Sequence, residues 1–283
     1  MKKKNKLKIA AAVSAALLLG GAVLLFKDDF AQEINTEKLK DFAPPIAVQT
    51  QLDDYTDSLI AETTSVPNTE SIPSETIVTD IADVPVQASD TLPAEVRREL
   101  METAQSLKTA YPDALGWLYI PNTAISYPVM QSDDNDYYLS HAYDGSYLKA
   151  GSVFLDYRCE NRFMNPINIL YGHNMKNGSM FAGVLSFTNE SYFESHRYGW
   201  LATPETVYRI DFFSCARADW HDELYNGSFP ISEWIPRIYD KSVVSREMTY
   251  SDEDRFISLS TCSYEFQNAR TILTGKLKET KEA

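Results

Sequence analysis

The stretch ISLSTCSYEFQNARTILTGKL, residues 257–277, decides how this chain is read. Apolar and small polar residues alternate up to Cys262, a short polar run follows, and Arg270 opens a second apolar run. The pattern predicts two strands, 255–262 and 269–277, paired as a hairpin. With a side-chain period of two, Ile257, Leu259 and Thr261 share one face and Ser258, Ser260 and Cys262 the other. The apolar face is expected to pack inward, which leaves Ser260 and Cys262 together on a groove. Pairing then sets Arg270 across from Cys262 at the mouth of the hairpin.

A thiol in that position is a candidate nucleophile if its surroundings help it ionise. Free cysteine has a pKa of about 8.5, so little thiolate exists at neutral pH without a neighbouring cation. Arg270 supplies a permanent charge that can stabilise a thiolate or a tetrahedral oxyanion. An imidazole could protonate a leaving amine. Of the four histidines, His173 in PINILYGHN (166–174) ends a predicted strand, with Ile169, Tyr171 and His173 on one face. His141, His196 and His221 lie in turns or polar stretches and are read as structural. Cys215 sits mid-strand in TVYRIDFFSCARA and reads as core filler, while Cys159 lies in a loop without a basic partner close in sequence. Three cysteines permit at most one disulfide and exclude a disulfide-dense fold.

Working outward, charge divides the chain of 283 residues into three parts. Residues 1–27 carry six lysines and no acid, residues 28–90 carry 14 acids against two lysines, and the remainder carries 26 acids against 18 bases. No basic patch points to nucleic acid. After the basic tail (1–8), residues 9–26 form an uncharged, mostly apolar run of about 27 Å as a helix, close to the ~30 Å hydrocarbon core. This predicts a signal anchor with the bulk of the chain exported. A cleaved signal peptide is the alternative, disfavoured by the length of the run. Residues 27–90, acidic and rich in Ser, Thr and Pro, are expected to be a disordered stalk.

The folded domain is expected over 91–283. Val96, Leu100, Met101, Ala104 and Leu107 recur at helical spacing, and Pro112 ends that helix. Strands are expected in 116–130, GSVFLDYR (151–158), 166–174, 206–218 and the terminal hairpin. Short helices are expected at SMFAGVLSF (179–187), around 191–198, and at ISEWIPRIY (231–239) despite Pro236. Hydrophobic content of 44% suffices for a core. Many short strands with few helices predict a mainly β, closed barrel with helical insertions.

LSTC at 259–262 followed by an arginine opening the next strand resembles the sortase signature TLxTC…R, and YGHN at 171–174 resembles the sortase histidine segment. The likeness runs from about residue 91 to 277. The helix before the barrel, GWLYIPNTAISYPVMQ, DNDYYLSHAYDG, AGSVFLDYR and the helical insertion before the cysteine strand resemble class B. Ser258 stands where the signature has threonine. The resemblance implies a sortase-like barrel and a membrane-anchored, extracellular cysteine transpeptidase; the histidines show no close ligand spacing and the acidic clusters no calcium-loop pattern, so no metal and no cofactor are expected. Cys262 would attack the carbonyl after the threonine of a C-terminal sorting motif, giving a thioester. His173 would act as general acid and then base, and Arg270 would hold substrate or oxyanion. Ser260, and by the same alternation Tyr171, are the expected substrate contacts. Partners would be exported proteins bearing sorting signals and an amine of a peptidoglycan precursor or a pilin. A cysteine endopeptidase, a pilin-polymerising class B enzyme and a non-catalytic tethered binding module are the competing readings. The order His then Cys is opposite to papain-like enzymes.

Overall fold

The computed structural model describes residues 35, 37–64 and 91–282. The expected anchor, at 9–26, lies outside the described residues. The elements in chain order are helix α1 (Ile46–Thr64), β1 (Thr91–Leu92), α2 (Ala94–Ala110), β2 (Ala114–Tyr119), β3 (Ser126–Met130), β4 (Val153–Leu155) and β5 (Ile167–Tyr171). There follow α3 (Glu190–Ser195), β6 (Tyr198–Ala202), β7 (Val207–Asp219), α4 (Ile231–Lys241), β8 (Ser242–Ser245), β9 (Arg255–Cys262), β10 (Ala269–Glu279) and β11 (Lys281–Glu282). Short 3-10 helices span Tyr137–Leu139, Phe181–Thr188 and Glu223–Tyr225.

Strand order is β10-β9-β5-β4-β3-β2-β6-β7, and a β10–β7 pairing joins the two ends, so the sheet closes into a barrel of eight strands with β8 added beside β7. Closure removes the sheet edges. Gly275 permits it locally. A Cβ there would lie 2.4 Å from Ile210 Cγ2 and 3.0 Å from Phe212 Cδ1, beside the register shift where β10 crosses β7.

Alternation along β9 divides the packing as the sequence predicts. Ile257 and Leu259 join Val129, Leu155, Leu170, Ile210 and Leu273 in the principal apolar cluster, capped by Phe181, Val184 and Phe187. Phe256, on the other face, lies under α4 with Ile231, Trp234, Ile235 and Ile238. That α4 tolerates Pro236 follows from this apolar stripe, since tertiary packing outweighs the hydrogen bond proline removes. Besides the two-residue strands β1 and β11, two strands escaped the sequence reading. YGWLA at 198–202 forms β6 with all five residues buried, giving no alternation to detect, and SVVS at 242–245 forms β8 directly after α4.

A larger correction concerns residues 46–64, expected as part of a disordered stalk. They form α1, which buries Val48, Leu52, Thr56 and Leu59 at helical spacing. Val48 and Leu52 meet Leu92, Val96, Trp117 and Trp200 in a second apolar cluster. Two polar hooks fix the docking: Tyr119 donates to Asp53 at 2.6 Å and Trp200 Nε1 donates to Thr56 at 3.1 Å. Acidic composition hides this stripe because only one residue in three or four needs to be apolar for one face to pack.

Candidate active site

β9 runs parallel to β5 on one side and antiparallel to β10 on the other. Tyr171 pairs with Ser260, the last couple in the parallel register. Two residues further along each chain stand His173, past the end of β5, and Cys262, the last residue of β9. Beyond the ladder, side chains take over from strand hydrogen bonds. Thr261 Oγ1 donates to the Gly172 carbonyl at 2.7 Å, and Asn174 Nδ2 donates to the Cys262 carbonyl at 2.9 Å. These bonds tie the segment carrying His173 to the end of the strand carrying Cys262. Across the antiparallel pair, Arg270 is the register partner of Cys262. The sheet therefore gathers all three sequence-identified residues at one rim of the barrel.

His173 Nε2 lies 2.9 Å from the Leu139 carbonyl oxygen. A carbonyl can only accept, so the hydrogen of the neutral ring sits on Nε2 and Nδ1 keeps the lone pair. Leu139 comes from the 3-10 turn Tyr137–Leu139, and Tyr138 holds that turn by donating to Asp113 at 2.9 Å. The Arg270 guanidinium reaches back to the carbonyl of Ala269 at 3.0 Å. Cys262 is half-buried and all three cysteines are free thiols. Burial pushes the Cys215 thiol up to about 12 and raises Cys159, so neither is poised to ionise. His141, His196 and His221 bond to the Tyr137 carbonyl, the Tyr192 carbonyl and the Asp219 carboxylate.

Ser260 and Tyr171 differ from expectation. Ser260 shares the Cys262 face but is only 2% exposed, because Tyr225 covers it with a hydroxyl–hydroxyl bond of 2.8 Å. Tyr171 is half-buried and donates to Asp156 Oδ2 at 2.9 Å, its ring stacked at 6.3 Å on that of Tyr225. Both residues are held by contacts within the chain, and the Tyr225 side chain lies against each of them. The Tyr225 hydroxyl is within electrostatic reach of both Arg270 and Cys262, and burial raises its pKa above the ordinary tyrosine value. Nothing in HDELYNGSFP marks Tyr225 as a site residue, since the barrel alone carries that turn to β9. Trp220, Tyr264 and Phe266 are exposed in the turns after β7 and β9. Among the described residues, no group of three metal-ligating side chains converges.

No family model matches the chain. Sortase B of Listeria monocytogenes is 33% identical over 198 residues, covering 68% of this chain and 80% of that protein. A solved Streptococcus pyogenes class B sortase involved in pilus biogenesis superposes with a TM-score of 0.58 at 30% identity, over 62% of this chain and 97% of that one. A solved Staphylococcus aureus sortase B–substrate complex gives a TM-score of 0.60 at 25% identity, over 64% and 87%. An eight-stranded barrel with a thiol at the end of one strand, matched to these proteins, defines a cysteine transpeptidase. The chain belongs to the class B sortase family.

Proposed function

We propose that Cys262 is the nucleophile, His173 the general acid and base, and Arg270 the cationic clamp of a transpeptidation on a C-terminal sorting motif. The convergence of these three side chains at one rim of the barrel, from β9, the segment after β5 and β10, carries the reading. The Cys262 thiolate adds to the carbonyl carbon after the motif's threonine, and the Arg270 guanidinium faces the oxyanion that forms. On collapse the C–N bond breaks, imidazolium gives its proton to the leaving amine, and a thioester remains. An incoming amine then adds to the thioester, loses a proton to the imidazole and expels the thiolate. With Nε2 held by Leu139, the travelling proton resides on Nδ1.

The acceptor is read as an amine of a peptidoglycan precursor, so the enzyme attaches exported proteins to the cell wall. Residues 9–26 would anchor it in the membrane, with the catalytic domain outside. The likeness to a substrate-bound sortase B supports a peptide substrate, and the likeness to a pilus-building enzyme keeps a pilin amine as the second reading.

The test is intact-mass spectrometry of the protein with sorting peptides of the NPxTx and LPxTG types, with and without an amine acceptor such as triglycine. The expected result is an acyl adduct lost in Cys262→Ala and an amine-dependent ligated product. Cleavage that never gives ligation with any amine would move the reading to a peptidase.

A further inference from the structure

A polar chain built on a buried carboxylate and running through the half-exposed Arg158 links the end of β4 to the cysteine strand. Asp156 follows β4 directly and is 1% exposed. Its carboxylate takes four bonds. The Arg158 backbone N–H and Nε donate to Oδ1, each at 2.9 Å. Arg158 Nη2, at 2.7 Å, and the Tyr171 hydroxyl, at 2.9 Å, donate to Oδ2. A local Asp-x-Arg turn would be complete with the Arg158 bonds alone, and both further links lead to the site. Arg158 Nη2 also donates to the Tyr225 carbonyl at 3.1 Å, and the Tyr171 ring lies 6.3 Å from the Tyr225 ring at an interplanar angle of 19°. Tyr225 in turn holds Ser260, two residues before Cys262. Arg158 thus grips the backbone of Tyr225 while Tyr171 supports its ring, and Asp156 orients both.

We propose that Asp156 is a positioning residue for the transpeptidation, acting through Arg158 and Tyr171 to hold Tyr225 as the groove wall beside Cys262. This rests on the reading of Cys262 as nucleophile. Asp156 touches neither the thiol nor the imidazole. Its loss therefore loosens the surface that receives the peptide and leaves the chemistry of the thiol in place. Burial works against its charge, but the bonds from Arg158 and Tyr171 outweigh it and keep the carboxyl below the usual range. It stays ionised throughout the working pH range, so it should change the height of the pH profile and not its shape.

Asp156→Asn keeps an acceptor for Tyr171 but weakens the fork that holds Arg158. With the full-length protein and a sorting peptide that the wild type turns over, the KM is expected to rise about tenfold and kcat to stay within about threefold. Alkylation of Cys262 by iodoacetamide should keep its rate within about twofold, and the pH profile of kcat/KM its shape. Tyr171→Phe, which deletes one hydroxyl, should raise the KM in the same direction. Asp156→Asn combined with Tyr225→Phe should be no worse than about twice the weaker single variant. An unchanged KM in both single variants, or multiplicative effects in the double variant, would overturn the proposal. So would a shifted pH profile or a slowed alkylation, either of which would place Asp156 in the electrostatics of the thiol. Turnover surviving in Cys262→Ala would instead overturn the nucleophile assignment, so the two failures are separable.

Discussion

Gly151 lies outside the catalytic segments, at φ +58°, in the left-handed region. A Cβ placed there would fall 2.3 Å from the Tyr138 carbonyl oxygen and 2.8 Å from that of Leu139. Both obstacles are backbone, so Gly151→Ala forces the 138–139 turn to recede by about 1 Å to reach ordinary contact. The left-handed conformation itself costs alanine about 1–2 kcal/mol. The Leu139 carbonyl is the acceptor for His173 Nε2 at 2.9 Å. A shift of that size takes the bond out of range, about 1 kcal/mol of ground-state interaction, or drags the imidazole with it. Misplacing a catalytic group by about 1 Å can cost about 10²-fold in rate. Gly151→Ala is therefore expected to lose about 10²-fold in kcat/KM for a sorting peptide while remaining folded, with a Tm lower by roughly 4–8 °C. Steady-state cleavage well below the Tm, with thermal unfolding measured alongside, gives both numbers. Imidazole 15N shifts of wild-type His173 should report hydrogen on Nε2 in the neutral ring. Wild-type activity in a destabilised Gly151→Ala, or a neutral His173 carrying its hydrogen on Nδ1, would refute the coupling through Leu139.

Leu52→Ala in α1 should destabilise the protein by about 2–4 kcal/mol, since Leu52 is fully buried against the second cluster; a change under 0.5 kcal/mol in urea unfolding would mean that α1 is not docked. Iodoacetamide at neutral pH should modify Cys262 and spare Cys215, whose thiol burial pushes up to about 12; peptide mapping of the native protein checks this, and early labelling of Cys215 would show that the barrel opens. The Asp156 carboxyl is held below its usual 3.8 in the folded state, so its ionised form contributes stability above that pH and the contribution disappears as pH falls from 3.8 through the folded value. Urea unfolding between pH 7 and 3 should accordingly show the advantage of wild type over Asp156→Asn shrinking on acidification, and a pH-independent difference would contradict it.

The barrel and the three residues at its rim were legible because each rests on local chemistry. Alternation along 255–262 fixes which residues of β9 face inward, and the seven residues between Cys262 and Arg270 are spanned by a hairpin that must bring its two ends together. His173 was legible as the polar end of an apolar strand. α1 was not, because acid-rich composition averages over a helix of which only Val48, Leu52, Thr56 and Leu59 need to be buried. Nor was the burial of Ser260: alternation fixes its face, but whether that face is open depends on Tyr225, which is 35 residues away in sequence.

The sequence by itself determined the strand periodicity, the candidate nucleophile and its hairpin partner, because a period of two and a short connection act over a few residues. Only the tertiary structure decided that β5 lies parallel to β9 and so brings the segment carrying His173 to the end of the cysteine strand. It alone decided that Leu139 holds the imidazole and that Asp156, Arg158 and Tyr171 link to Tyr225 beside Ser260. Those contacts join segments tens of residues apart, and their partners are chosen by barrel closure, which no local pattern encodes.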